Sequence, residues 1–261
     1  MTNNTQALLS IRNVIGNIRE NTFDIIKAYP LPVFLLFCAD FLFSYTRAAN
    51  APSYIITIIT LPFLIISIYV SAILLKAAFD KITLKKTDSQ GLKATPEIMR
   101  LFALQIRVSL ILIAVILPFI AIGILLTYAI GSLLTAIIVA SILYLICILL
   151  YYARITVANY LAYEGYDRPI RTAFKATKPY TIQFALFALK LIGIFIIVGI
   201  IMTLSAEVVD QILGSAISTF TGSPLELPII EPVSSSILSV MFSIGIAKTA
   251  HQMAQIIEQD R

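Results

Sequence analysis

Two charged side chains lie deep within apolar runs of the chain, where a charge can bind an ion, relay a proton or form an ion pair. Asp40 lies in the first apolar run and Lys190 in a later one. A charge inside a bilayer is costly, so such residues mark ion paths, proton relays or paired sites. From the rise of an α-helix their expected depths differ by roughly 6 Å, which a lysine side chain can span. The sequence predicts that Asp40 and Lys190 pair between two helices, either as a structural ion pair or as a proton or ion site.

The second candidate site is a basic stretch between residues 154 and 181. Its cations recur three and four residues apart and so share one face of a short helix: Arg168, Arg171, Lys175 and Lys178. Each cation near an anionic leaflet contributes about 1 kcal/mol of binding. We therefore predict that these residues contact lipid headgroups, anionic ones included. The open alternative is that they only set the orientation of the chain in the membrane.

Signatures of known catalytic and metal sites do not occur in the sequence. His251 is the single histidine, which excludes an HExxH zinc site and histidine-rich metal clusters. There is no Walker loop, no G-x-S-x-G elbow and no set of paired aspartates. Cys38 and Cys147 both lie inside apolar runs, which is typical of small apolar side chains rather than of a disulfide. We predict a protein that is not an enzyme and that uses no cofactor or metal.

The composition indicates which elements must position these residues. Of the 261 residues, 59% are apolar and 13% are charged, and the mean hydropathy is +0.94. A soluble domain has about half apolar and about a quarter charged residues, so this chain lacks the polar residues to cover a soluble surface. The excess of basic residues lies at the ends of apolar runs, which does not indicate a nucleic-acid partner. We predict one integral membrane domain over residues 1–261.

Six segments of the sequence are long and apolar enough to cross a bilayer, which takes about 20 residues as a helix. They lie at about 28–46, 54–75, 108–129, 133–153, 183–205 and 233–252. The uncharged run 108–153 holds two of them, with a turn near residues 129–132, and a polar loop over 77–95 joins the second span to the third. The predicted fold class is therefore all-α, a polytopic membrane protein with six transmembrane helices.

Residues 1–27 are predicted to form a separate amphipathic helix. Apolar residues at helical spacing alternate there with basic ones, namely Leu8, Ile11, Ile15 and Ile18 with Arg12 and Arg19. Such a helix is suited to lie on the inner leaflet of a membrane. A helix packed on the protein's own cytoplasmic loops fits the pattern equally well.

The distribution of lysine and arginine predicts the orientation of the chain. Nearly all of them lie in the N-terminal segment, in the loop 77–95, in the stretch 154–181 and at the C-terminal end, whereas the segments facing the other side hold Arg47 alone. We predict that both termini are cytoplasmic. The external segment 206–232 has no lysine or arginine, and its part 206–220 is either an interfacial helix or an extension of the fifth span.

Small residues at four-residue spacing mark possible contacts between the spans, because helices in lipid associate by close packing. The longest series lies in the last span, with shorter ones in the fourth and the second: Ser235, Ser239, Ser243 and Ala247; Ala136 and Ala140; Ser67 and Ser71. We interpret these series as packing seams. A polar path lined by serines is the alternative.

One short pattern in the basic stretch matches a known family. The fourth span ends in a basic residue, a break follows at EGYDRP, and a helix of the form A-(L/F)-x-x-(S/T) leads into the fifth span, with Ala173, Phe174 and Thr177 in that form. This arrangement resembles the integral membrane domain found with some glycerophosphoryl diester phosphodiesterases. The resemblance implies six helices with cytoplasmic termini. It implies no catalysis, because the family's phosphodiesterase activity resides in a separate soluble domain that this sequence does not contain.

The sequence favours a non-enzymatic, multi-pass protein of the bacterial inner membrane that acts as a scaffold or lipid-associated module. Its expected partners are membrane lipids, with a second copy of the chain or other membrane subunits as further candidates. The alternative is a small transporter or permease subunit that uses Asp40 and Lys190. No internal repeat or pair of matching half-helices supports that alternative.

Overall fold

The computed structural model describes residues 9–48, 53–85, 92–130, 133–221 and 230–259 of the chain. No strand occurs within these ranges. The helices are α1 (Ile11–Ala28), α2 (Pro30–Ala48), α3 (Ser53–Ile82), α4 (Pro96–Ile130), α5 (Leu133–Tyr163), α6 (Pro169–Ala176), α7 (Thr181–Thr221) and α8 (Ile230–Gln259), with a 3₁₀ turn at Lys178–Tyr180 before α7.

Five of the described helices are long and apolar enough to cross a membrane. They are α3, α4, α5, α7 and α8. Helices α1 and α2 meet at an angle of 94°, and the chain has a sixth span if these two together count as one broken span. The prediction of an all-α, polytopic membrane protein is therefore confirmed, with five or six spans. The predicted turn near residues 129–132 agrees with the end of α4 at Ile130 and the start of α5 at Leu133; residues 131–132 lie outside the described ranges.

Helix α8 is the centre of the bundle and contacts α1, α2, α3, α5 and α7. Small residues let its neighbours approach closely: a Cβ atom added to Gly245 would lie 2.8 Å from the Phe195 ring of α7 and 3.5 Å from Ile18 of α1. The serines of the predicted seam do not face a polar path with free hydroxyls, since Ser239 donates to the carbonyl of Ser235 and Ser243 to that of Ser239. This geometry favours the packing seam.

The buried core lies at the end of the bundle that carries the cations, which we call the basic end. Fully buried side chains there include Phe79, Leu101, Val157 and Met253, each at most 1% exposed. By contrast, the middle of α4 exposes most of its apolar side chains, as a surface in contact with lipid does. The helices reach the core by extending beyond the predicted spans: α3 continues to Ile82, through part of the predicted loop 77–95, because Ala77, Ala78 and Phe79 are buried.

Helix α1, the described part of the amphipathic segment, packs against other helices of the protein. Its apolar side contacts α8 and α3 and buries Val14, Ile18 and Ile25, which are exposed by 0%, 6% and 2%. The helix therefore packs on the protein itself with this side, while Ile15 and Phe23 remain exposed on its other sides. Residues 1–8, the first part of the predicted helix, lie outside the described ranges.

Helix α7 runs without interruption from Thr181 to Thr221, so residues 206–220 extend the fifth span instead of forming a separate interfacial helix. About 41 residues of α-helix measure roughly 61 Å, twice the thickness of a hydrocarbon core. The projecting part caps its neighbour: the Asp210 carboxylate accepts hydrogen bonds from the backbone amides of Ile230, at 3.0 and 3.2 Å, and of Glu231, at 3.3 Å. Residues 222–229, between the two helices, lie outside the described ranges.

Candidate functional site

The structure does not bring Asp40 and Lys190 together. Asp40, on α2, is half-buried and lies within hydrogen-bonding reach of the Ser235 hydroxyl on α8. Lys190 is exposed on α7, and no ion pair among the described residues joins it to Asp40. The two charges lie on different helices, α2 and α7, and each of these helices packs on α8. The predicted pair is therefore not formed in this structure.

The four predicted lipid contacts lie together on the exposed side of α6 and of the 3₁₀ turn that follows it. Arg168, Arg171, Lys175 and Lys178 are all exposed. The opposite side of the same segment is held in the core, since Ala173 and Thr177 are each 0% exposed and the Thr177 hydroxyl donates to the Ala173 carbonyl at 2.8 Å. The segment is thus a fixed platform with its cations outward, which we call the cationic platform.

A groove of about 470 Å³ separates the start of the cationic platform from α4. Its lining is Arg107 of α4 together with Asp167, Arg168, Pro169, Ile170, Arg171 and Phe174. Three arginines and one aspartate therefore border an open depression. We call this depression the arginine groove. The sequence did not single out Arg107 or Asp167 for this role, because the two residues are far apart along the chain and only the packing of α6 beside α4 places them together.

Phe174 forms the base of the arginine groove and is fixed by two side chains of α5. The Tyr151 ring lies 5.6 Å from the Phe174 ring between centroids, and the Arg154 guanidinium lies 4.6 Å over the same ring. Arg107 and Arg154 are the charged residues that border the uncharged run 108–153. Both lie beside α6, so the groove is close to the two ends of this uncharged run.

The arginines of the groove are not neutralised by the ion pairs of the described residues. Those pairs join Lys76 to Asp80, Lys81 to Asp24, Lys85 to Glu164 and Arg100 to Glu97. None of them includes Arg107, Arg168, Arg171 or Asp167. The Lys81–Asp24 pair ties α1 to α3, and the hydrogen bond from Lys81 holds the pKa of Asp24 below its ordinary value. The basic end thus contains both paired cations, which link helices, and unpaired ones, which line the groove.

A buried polar network near the platform was also missed by the reading of the sequence. Asp80 of α3 is 3% exposed and receives the Lys76 ammonium at 2.6 Å and the Tyr163 hydroxyl at 2.8 Å. Lys85 lies 4.6 Å over the Tyr163 ring and pairs with Glu164 at 3.1 Å. The network joins α3 to the end of α5, immediately before the turn that leads to α6. Its one local signal in the sequence is the four-residue spacing of Lys76 and Asp80.

No group of three or more histidine, cysteine, aspartate or glutamate side chains lies close enough to hold a metal among the residues that the structure describes. His251 stacks edge-on against Tyr160, at 5.7 Å between ring centroids, and its Nε2 atom lies 3.1 Å from the Gln255 amide nitrogen. Cys38 and Cys147 are both free thiols. We take the arginine groove as the candidate binding site, because three arginines border it and none of them is held in an ion pair of the described residues.

Comparison with protein-family models, with curated proteins and with solved structures found no match. What the chain is follows from its own helices: it is a multi-pass membrane protein.

Proposed function

We propose that this protein is a non-enzymatic, multi-pass protein of the bacterial inner membrane that acts as a lipid-associated scaffold. One observation supports the proposal best: the exposed cationic platform is anchored to the core beside Arg107 and Arg154, which border the uncharged run 108–153. Membrane lipids are the partners that this position favours, because their headgroups occupy the same level as the ends of the spans.

The charges of the platform favour anionic headgroups over neutral ones. Each cation near an anionic leaflet contributes about 1 kcal/mol, and arginine also binds phosphate through two parallel hydrogen bonds. The platform needs no reorganisation to bind, because Ala173 and Thr177 hold it in place from below. The excess of lysine and arginine on the same end of the bundle supports a cytoplasmic location for the platform and for both termini.

Lipid retention by purified protein tests the proposal. The variant Arg168→Gln, Arg171→Gln, Lys175→Gln should bind anionic phospholipid roughly a hundredfold more weakly, because three contacts of about 1 kcal/mol are removed. The matched control is Arg12→Gln, Arg19→Gln, Lys27→Gln, which removes three exposed cations of α1 from the same end and should retain the lipid. The readout is the lipid that remains after detergent exchange, identified by mass spectrometry of the intact protein.

Orientation must be measured in the same variants, because the platform also carries part of the charge that sets topology. A cysteine placed at Glu226 should react with an impermeant reagent in intact cells, and one placed at Lys85 should not. The scaffold proposal is contradicted if the platform variant keeps both its orientation and its lipid. Equal losses in the platform and α1 variants would point to unspecific charge attraction instead.

A transport role is the second candidate, and one observation favours it. Asp40 places a carboxyl group within a span, beside the Ser235 hydroxyl, and intramembrane carboxyl groups mark proton or ion paths in many transporters. Lys190 does not share this position, so the role would depend on Asp40 alone. The measurement is proton entry into vesicles that contain the protein, followed with a trapped pH-sensitive dye. The scaffold proposal predicts no entry. Entry that Asp40→Asn abolishes would favour transport.

The relationship to the membrane domain of the glycerophosphoryl diester phosphodiesterases remains part of this proposal. It is supported by the pattern at Ala173, Phe174 and Thr177, two of which fix the platform in the core. A lipid hydrolase encoded by a neighbouring gene would support the relationship. A nucleotide-binding transport subunit in that place would favour the second candidate.

A further inference from the structure

We infer that the arginine groove selects phosphate diester headgroups that carry a hydroxyl or ammonium donor, and that Asp167 is the residue that selects them. The inference deepens the proposed function and rests on it, because the groove belongs to the cationic platform. It adds a specific ligand chemistry to what would otherwise be attraction between a basic surface and an anionic membrane.

The arginine groove is an open depression large enough for one headgroup. Its volume of about 470 Å³ falls within the range of roughly 300–1,000 Å³ that is usual for small-ligand sites. Arg107 comes from α4, whereas Arg168 and Arg171 come from the platform, so cations face the groove from two sides. A phosphate between them can accept paired hydrogen bonds from more than one guanidinium group.

Asp167 makes the groove more than a phosphate site. A carboxylate accepts hydrogen bonds but donates none when ionised, and it repels a phosphate oxygen. Asp167 is exposed and takes part in none of the ion pairs formed within the described ranges. A headgroup that places its phosphate on the arginines and a hydroxyl or ammonium group on Asp167 satisfies both. A diester without such a donor still binds the arginines, but it gains no hydrogen bond from Asp167 and is repelled by its carboxylate.

The surroundings of the groove favour a lipid over a free phosphate ester as the source of this chemistry. Leu110, Ile111 and Ile113 follow Arg107 closely along α4 and are exposed by 61%, 39% and 58%. An acyl chain attached to a phosphate in the groove can lie along this apolar surface. A soluble phosphate ester gains nothing from it.

The test compares two lipids that have the same charge. Phosphatidylglycerol and phosphatidylmethanol are both singly charged diesters, and only the first has hydroxyl donors. The intact protein in nanodiscs should bind phosphatidylglycerol about tenfold more tightly, the effect of one hydrogen bond to a charged group. Asp167→Asn should remove this preference by weakening phosphatidylglycerol and strengthening phosphatidylmethanol. Glu164→Gln is the control, since Glu164 is occupied by Lys85, and it should keep the preference.

Free phosphate esters form the second arm of the experiment. If millimolar glycerol phosphate displaces bound phosphatidylglycerol and inorganic phosphate does not, the ligand with a phosphate and a hydroxyl donor is a soluble ester. If neither displaces it, the ligand is the lipid. Equal binding of the two lipids by the unmodified protein overturns the inference while leaving the proposed function intact. If neither lipid binds better than a zwitterionic one without a free donor, such as phosphatidylcholine, the proposed function fails as well.

Discussion

The Tyr163 hydroxyl donates a 2.8 Å hydrogen bond to the Asp80 carboxylate, and this contact joins the ends of α5 and α3 inside the core. The same carboxylate receives the Lys76 ammonium. A buried charge is tolerated only when its partners satisfy it. Since Glu164 and the turn to α6 follow Tyr163 directly, this contact also supports the base of the cationic platform.

Tyr163→Phe should therefore destabilise the protein. Removing one hydrogen bond to a buried charge costs about 1–3 kcal/mol, and the ring packing against Phe79, 4.9 Å away between centroids, is retained. The measurement is the thermal unfolding midpoint in detergent. Tyr166→Phe is the control, because Tyr166 is 50% exposed and its substitution should leave the unfolding midpoint unchanged. Equal midpoints for both variants would show that the Asp80 contact contributes nothing.

A pair of isoleucines on α1 tests whether this helix is held by the protein or by lipid. Ile18 is 6% exposed and contacts the Gly245 position of α8, whereas Ile15 is 43% exposed. Ile18→Ala should cost about 2–4 kcal/mol through the lost burial and the cavity, and Ile15→Ala less than about 1 kcal/mol. Limited proteolysis within α1 and the unfolding midpoint measure both. The opposite order of effects would mean that α1 rests on the membrane.

The turn between α5 and α6 depends on Gly165. Its φ of 92° is a conformation that other residues rarely adopt, and an added Cβ atom would lie 2.6 Å from the Arg100 guanidinium. Gly165→Ala should cost about 1–3 kcal/mol of stability and displace the cationic platform, so that anionic lipid is lost as well. Gly16→Ala is the contrasting control: nothing lies within 4 Å of that added atom, and alanine should stabilise the helix by about 0.5–1 kcal/mol.

Asp210 should hold the far end of the bundle together. Its carboxylate caps the first amides of α8 from α7, so Asp210→Ala should cost about 1 kcal/mol and speed hydrogen exchange at the amides of Ile230 and Glu231. Glu207→Ala removes an exposed carboxylate about one turn away on the same helix and should leave that exchange unchanged. Equal protection of these amides in both variants would contradict the capping role.

Composition and hydropathy were enough to predict the class of this protein and the approximate position of its spans. Every backbone polar group in a bilayer must be satisfied locally, so long apolar runs can hardly be anything but helices. The same reasoning predicted that Arg168, Arg171, Lys175 and Lys178 share one face, because helical spacing is a local property. Both predictions depend on residues close together in the chain.

Tertiary structure alone decided which distant residues meet. Depth estimates placed Asp40 and Lys190 at similar levels, but a depth does not specify the neighbour of a helix, and α2 and α7 each pack on α8. The arginine groove needs Arg107 and Asp167 from different elements, and the Asp80–Tyr163 contact joins residues 83 positions apart. Such contacts result from how helices pack side by side, and a helical pattern carries no information on the choice of partner.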